Sequence, residues 1–440
     1  MRLVELKTQA LRYVVLGDAA RAFRCYRHIV AALPSDLDAR MKIADLCVTA
    51  RLHDLARRIY AAVAFYDLQA GRPLHAVVAS QALRSLGEDI GPLHDSLAQL
   101  YGQGSPRVGH GGDRVGARLA PPDPDADVPP FDLAGDGDAA AEAQAAAELA
   151  ASTSSLASFP ELFPPVPLLS DLSPVAFARV LDTVRVLRLP HGAKVVKEGE
   201  PGESFYLVAA GHVRVFSTDS LGREQNLAKL GEGAIFGELA LVAAQPRGAT
   251  VEVVGEADLL EVGAAALRAA ASELEQLAEA LGRFTRDRLL KNLLASSPLF
   301  KPFSPQQRLD LARRFTGHDV APGTDLIREG DPGRGLYVVL AGEMEVVKGE
   351  EPFETTLATL RGGDLFGEIA LLRGTPATAT VRAARPSTVL FLAREYFERL
   401  IAALPEMRAF FEQLTEDRLR ASEAALNDES VLSDDDIVLI

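Results

Sequence analysis

The stretch richest in chemistry is Phe236-Gly237-Glu238-Leu239-Ala240-Leu241, followed six residues later by Arg247. A Gly-Glu pair at the mouth of a short helix leaves backbone N–H groups without intrahelical partners, and such a helix end favours an anion. A carboxylate beside a plain phosphate makes little sense. It makes sense if the ligand also carries a hydroxyl for Glu238 to accept. Arg247, across the loop, offers a planar fork that meets two phosphate oxygens. Phosphate and sugar hydroxyl in one small cradle is what a cyclic nucleotide presents. The alternative reading is a plain surface turn ahead of a strand.

The stretch closely resembles the phosphate-binding cassette of cyclic-nucleotide-binding domains, with Phe-Gly-Glu-aliphatic-Ala-Leu closed here by Pro246-Arg247-Gly248-Ala249. The resemblance implies that Phe236 and Gly237 belong to the cradle, that Glu238 takes the ribose 2′-hydroxyl and that Arg247 takes the cyclic phosphate. It also implies backbone amides near Gly237, Leu239 and Ala240, with a further amide at Ala249. Gly248 departs from the family's usual Ala, Thr or Ser. A Thr or Ser there accompanies guanine preference, so its absence favours cyclic AMP over cyclic GMP. Gly248 also loosens the backbone.

The cassette sits in a repeat. Ser173-Pro174, Gly192, Gly199, Pro201-Gly202, Tyr206 and Gly211 recur at Ser304-Pro305, Gly323, Gly330, Pro332-Gly333, Tyr337 and Gly342, every pair at the same separation along the chain. Phe236-Gly237-Glu238 recurs at Phe366-Gly367-Glu368, with the separation shortened by a single position. Both copies resemble the same domain over the full length of the repeat. The second keeps Gly367, Glu368, Ile369 and Ala370, then reads Pro376-Ala377-Thr378-Ala379, so Ala377 stands where Arg247 stands in the first. Loss of a charge-assisted bidentate pair costs on the order of 3 kcal/mol, about a hundredfold in affinity. Arg373 is a candidate replacement, or else a solvated surface arginine. The second copy reads as a degenerate site serving partner binding or dimerisation.

These elements define a multi-domain α+β chain. An N-terminal α-helical repeat region precedes two jelly-roll β-barrels with flanking helices. Ser173 and Ser304 are N-caps with Pro at the first helical position. Short strands separated by Pro-Gly and Gly-Arg turns follow each. Ala264–Leu294 and Glu395–Leu426 read as helices after each barrel, which by resemblance include the lid and hinge. The expected boundaries are a helical domain at 1–102, an acidic disordered linker at 103–158, nucleotide-binding domains at 159–296 and 297–426, and an acidic tail at 427–440.

In the N-terminal region Ala22 and Tyr26 recur as Ala56 and Tyr60, with Gly17 at a first turn and Pro34 at a repeat end. The spacing is the tetratricopeptide period of about 34 residues, so the region resembles a short array of that family, although the family's Trp is absent. Such arrays bind a partner protein on a concave face. An unrelated helical hairpin bundle is the alternative. From Leu119 to Ala150 there are eight acidic residues and no Lys or Arg, which reads as disorder, with Ala139–Ala151 as a transient helix. The kinase regulatory subunits that share these barrels place an Arg-Arg pseudosubstrate in such a linker. Only isolated Arg107, Arg114 and Arg118 occur here. The tail ends Ile437-Val438-Leu439-Ile440 after an acidic run, either a frayed terminus or a docking peptide that adds a strand to a partner.

The formal net charge of -15 argues against a nucleic-acid partner. No apolar run approaches the length of a membrane span, and Met1–Ala10 lacks a signal-peptide layout, so a cytoplasmic protein is expected. Cys25 and Cys47 have no metal-like spacing, and neither a nucleophile elbow nor a Walker loop is present. The expected function is a non-enzymatic cyclic-nucleotide receptor and scaffold. Its alternatives are an interaction scaffold with two non-binding barrels, or a kinase regulatory subunit. A transcription factor is disfavoured because no helix-turn-helix follows the first barrel.

Overall fold

The computed structural model describes residues 1–109, 122–133, 138–154, 156, 159–218, 222–238, 246–264, 277, 280–286, 288, 290, 304–349 and 354–432. The chain divides into two compact units, Met1–Glu238 with Arg247–Ala280, and Leu239–Pro246 with Leu281–Ile440.

The first unit begins with six helices: α1 (Leu3–Leu16), α2 (Ala19–Ala32), α3 (Leu37–Thr49), α4 (His53–Gln69), α5 (Pro73–Ser85) and α6 (Gly91–Tyr101). Each of the first five packs on its successor. Gly17, at φ +76°, ends α1 in the left-handed conformation, and the Asp18 and Asp36 carboxylates cap α2 and α3 by accepting from Arg21 N and Ala39 N. Ala22 and Tyr26 on α2 and Ala56 and Tyr60 on α4 are all buried, so the recurring residues lie on core faces.

The described residues of 103–158 differ from the expected disordered linker. Helix α7 (Ala139–Ala151) buries Ala143, Ala146, Ala147 and Ala150 and packs on α2, α3 and α4. The Arg40 guanidinium, 1% exposed, caps it by donating to the carbonyls of Leu149, Ala150 and Ser152 at 2.9, 2.7 and 3.0 Å. Glu142 pairs with Arg24 and Arg27 at 3.1 and 3.3 Å. Low side-chain hydrophobicity misleads here because alanine buries its face by close approach rather than by bulk. The helices also engage the strands of the same unit, with Lys42 on Glu256 at 2.8 Å and Arg188 on Asp45 at 2.7 Å.

After α8 (Pro174–Thr183), six strands form one antiparallel sheet: β1 (Arg185–Leu189), β2 (Lys194–Val196), β3 (Ser204–Thr218), β4 (Glu224–Leu230), β5 (Ile235–Phe236) and β6 (Thr250–Gly263). The main order is β1-β6-β3-β4, with β2 on β6 and β5 on β3. Its core gathers Val196, Tyr206, Val208, Val213, Phe236, Val251, Val253 and Leu259.

The second unit contains α9 (Pro305–Ala312), then β7 (Thr316–Val320), β8 (Asp325–Ile327), β9 (Gly335–Ala341), β10 (Met344–Lys348), β11 (Thr355–Leu360) and β12 (Leu365–Phe366). It continues with α10 (Glu368–Arg373), β13 (Thr380–Ala383), β14 (Ser387–Ala393), α11 (Arg394–Ala403) and α12 (Pro405–Leu432). Its strands form two four-stranded sheets, β11-β10-β13-β8 and β12-β9-β14-β7. The expected α+β organisation is present, but neither set of described strands closes into a barrel. Of the helical stretch expected at Ala264–Leu294, most lies outside the described residues, as do Asn427–Ile440 beyond Leu432.

Candidate functional site

Gly237 follows β5 at φ +83°, a conformation few side chains adopt. A Cβ there would lie 2.6 Å from Arg247 Nη1 and 3.2 Å from the Ser204 carbonyl, so a side chain would push the Arg247 fork out of its place as well as strain φ. Glu238 is 1% exposed and Arg247 7% exposed. The Arg247 fork donates to the Gly237 carbonyl at 2.6 Å and to the Ser204 carbonyl at 2.8 Å. Its guanidinium also sits 5.9 Å from the centre of the Tyr206 ring. Burial lowers the Arg247 pKa, opposed by the nearby Tyr206 and Glu238. Tyr206 stacks on Phe236 at 5.0 Å and its hydroxyl donates to Glu261 at 3.3 Å, which fixes the wall beside the fork.

The loop that presents Arg247 is pinned by its backbone. Arg247 N donates to the Glu200 carbonyl and Gly199 N donates to the Arg247 carbonyl, both at 2.8 Å. Glu198 N donates to Thr250 Oγ1 at 3.1 Å, and the Glu198 carboxylate accepts from Thr218 N at 2.9 Å. Of the residues expected in this site, Phe236, Gly237, Glu238 and Arg247 are neighbours. Gly248 is exposed with open space around its Cα, and Ala249 is half-buried. Leu239 and Ala240 lie outside the described residues.

The second copy reproduces the frame. Gly367, at φ +88°, precedes α10, and a Cβ on it would meet the Gly335 carbonyl at 2.7 Å. Tyr337 stacks on Phe366 at 4.9 Å. Ala377 N donates to the Asp331 carbonyl, and Gly330 N to the Ala377 carbonyl, both at 2.8 Å. Glu329 N donates to Thr380 Oγ1 at 3.0 Å. Glu368 and Ala370 are buried, Ile369 and Ala377 half-buried, and Thr378 exposed. Arg373 is exposed at the end of α10. Among the described residues, a cation that does reach this cassette is Arg418 of α12, with Nη1 2.9 Å from Glu368 Oε1 and donating to the Leu365 carbonyl. Sequence reasoning missed Arg418, as it missed the threonine struts Thr250 and Thr380.

A cavity of about 280 Å³ lies over this second cassette, bordered by Leu326, Ile327, Leu360, Phe366, Glu368 and Arg418 among others. No helix among the described residues is long and apolar enough to cross a membrane.

Comparison with known proteins agrees with the repeat. The cyclic nucleotide-binding domain family matches residues 161–273 and 318–403, one segment in each copy of the repeat. A cAMP-dependent protein kinase regulatory subunit of Yarrowia lipolytica is 32% identical over 234 residues, 53% of this chain and 58% of that protein. One from Hypocrea atroviridis is 31% identical over 243 residues, 53% of this chain and 50% of its own. The chain thus spans only about half to three-fifths of the length of these relatives. Among solved structures, the regulatory domain of Toxoplasma gondii PKA with cAMP is 25% identical and covers 57% of this chain and 92% of its own, at a TM-score of 0.28. The tetratricopeptide resemblance of the N-terminal helices has no counterpart in these findings.

Proposed function

We propose that the chain is a non-enzymatic cyclic-nucleotide receptor that binds one ligand per chain in its first tandem domain. Glu238 accepts from the ribose 2′-hydroxyl and Arg247 holds the cyclic phosphate. Amides of Gly237, Leu239, Ala240 and Ala249 complete the cradle, and Phe236 braces it. Cyclic AMP is preferred over cyclic GMP because Gly248 brings no hydroxyl. The observation that carries this reading is the buried Arg247 fork on the Gly237 carbonyl, one residue from a buried Glu238. Its acceptors there are neutral carbonyls, and an anionic phosphate is the stronger partner for a guanidinium.

The second domain, with Ala377 in place of the arginine, does not hold a cyclic phosphate and serves partners. Ligand at the first domain repositions the second, and the N-terminal helices, read as tetratricopeptide-like, carry a protein partner in the cytoplasm. Calorimetric titration of the purified chain with cyclic AMP and cyclic GMP tests the reading. Arg247→Ala is expected to weaken binding by about a hundredfold, since a charged partner of the phosphate is lost. Unchanged affinity in that variant refutes the site.

A kinase regulatory role is the second reading, favoured by the names of the relatives. Against pseudosubstrate inhibition stands Arg107, whose guanidinium donates to the Pro160 carbonyl at 2.8 Å and lies 4.6 Å from the Phe163 ring centre. That arginine is committed within its own unit. Arg114 and Arg118 lie outside the described residues. Inhibition of a purified cAMP-dependent kinase catalytic subunit by the chain, relieved by cyclic AMP, would establish this reading over the first.

A further inference from the structure

The walls of the cavity over the second cassette are aliphatic and aromatic, with Leu326, Ile327, Leu360 and Phe366 from the sheets and Leu419 from α12. Glu368 borders it at 1% exposure. Arg418 meets its Oε1, while Oε2 is buried with no hydrogen-bond partner among the described residues. A buried acceptor left unsatisfied is costly, so that atom marks the place of a donor. Two more cations stand at the border. Arg334 is exposed and pairs with no carboxylate among the described residues, and Lys348 lies 3.9 Å from Glu329. The cavity therefore combines apolar surface, a buried acceptor and positive charge at its rim.

One segment of the same unit supplies the complement of all three. Ser433-Asp434-Asp435-Asp436 precedes Ile437-Val438-Leu439-Ile440, outside the described residues. A run rich in β-branched residues favours an extended backbone, in which Ile437 and Leu439 fall on one side. Each backbone N–H of such a run is a donor, and the carboxylates ahead of it match Arg334 and Lys348 in charge. The chain is also long enough. Glu423 of α12 borders the cavity, and from there to the helix end at Leu432 is about 14 Å at the helical rise. Residues 433–436 span up to about 14 Å when extended, enough to return Ile437 to the level of Glu423.

We propose that this cavity takes the chain's own segment 434–440, an acidic and then apolar peptide. Ile437 and Leu439 lie among the aliphatic walls, a backbone N–H donates to Glu368 Oε2, and the aspartates face Arg334 and Lys348. The second domain thus carries an internal occupant, and a partner or small molecule that enters the cavity must displace it.

The test uses the full chain carrying Ile437→Asp and Leu439→Asp, titrated by fluorescence anisotropy with a labelled peptide of the sequence 433–440. One peptide per chain is expected. Binding to the unmodified chain is expected to be weaker by about tenfold or more, because its own tethered segment competes at high effective concentration. Val346→Phe, added to the doubly substituted chain, fills the cavity with an apolar group and is expected to abolish binding. Arg334→Glu, a change at an exposed position that leaves the core intact, is expected to weaken it about tenfold. Absence of peptide binding to the doubly substituted chain overturns the proposal, as does binding unchanged by either Val346→Phe or Arg334→Glu. Equal binding to the unmodified and substituted chains also overturns it, since the cavity is then open to a peptide from another protein.

Discussion

The backbone N–H of Ala377 donates to the Asp331 carbonyl at 2.8 Å, matching the 2.8 Å bond from Arg247 to Glu200 in the first copy. The second cassette has therefore lost a side chain and kept the frame that aimed it. In an Arg247→Ala background, Ala377→Arg is expected to raise cyclic AMP affinity about a hundredfold, the gain of one bidentate charged pair. Calorimetry on the full chain measures it. No gain would mean that Arg418, already on Glu368, blocks the new fork.

The cassette was legible because its parts are close in sequence: Gly237, Glu238 and Arg247 fall within one short stretch of the chain, and each residue type has one job there. Arg418 was not, because it reaches Glu368 from the distant helix α12 and nothing in the helix pattern distinguishes it from a solvated arginine. The helix α7 was half legible. Its alanine content was read as propensity without a core, yet Ala143, Ala146, Ala147 and Ala150 recur at the spacing of one helical face. The strands and their turns were visible from Gly and Pro punctuation. The open edges of the described sheets were not, and closed barrels were expected instead, since alternation along a strand reports its faces and says nothing of which edges pair.

Arg40 should hold that helix in place. Five hydrogen bonds from its guanidinium go to carbonyls, three of them at the end of α7 and two at Pro34. Arg40→Met keeps the stem but orphans these acceptors, at a cost of about 3 kcal/mol. The α7 amides are then expected to exchange with deuterium about 100-fold faster, as read by mass spectrometry. Unchanged exchange would mean that the alanine face alone docks the helix.

Both thiols should be inert in the native chain. Burial pushes Cys25 up to about 11 and Cys47 up to about 12, and neither side chain is exposed. At pH 8 the reactive thiolate is therefore scarce at each, and no reagent reaches it without opening of the helices. Iodoacetamide at pH 8 is expected to leave both unmodified in the native chain and to label both in urea. Rapid native labelling of either would show that the helical region opens locally.

Gly211 lies where β3 bends, at φ +82°, between register shifts at Val208/Ala210 and Gly211/His212 in its pairing with β6. A Cβ there would collide with the Glu256 carbonyl and lie 2.9 Å from Ala257 Cα, both backbone atoms that cannot swing aside. Gly233, at φ +80°, has the same backbone conformation with nothing within 4 Å of the added carbon. Gly233→Ala should therefore cost only the left-handed strain, ~1–2 kcal/mol. Gly211→Ala must in addition part β3 from β6, the two longest strands of the first sheet and the ones that carry Ser204, Tyr206 and Thr250 around the Arg247 loop. It is expected to lose cyclic AMP binding and the protection of β3 and β6 amides from exchange, while Gly233→Ala keeps both. Equal behaviour of the two variants would show that the bend tolerates a side chain, and that the glycine serves conformation alone.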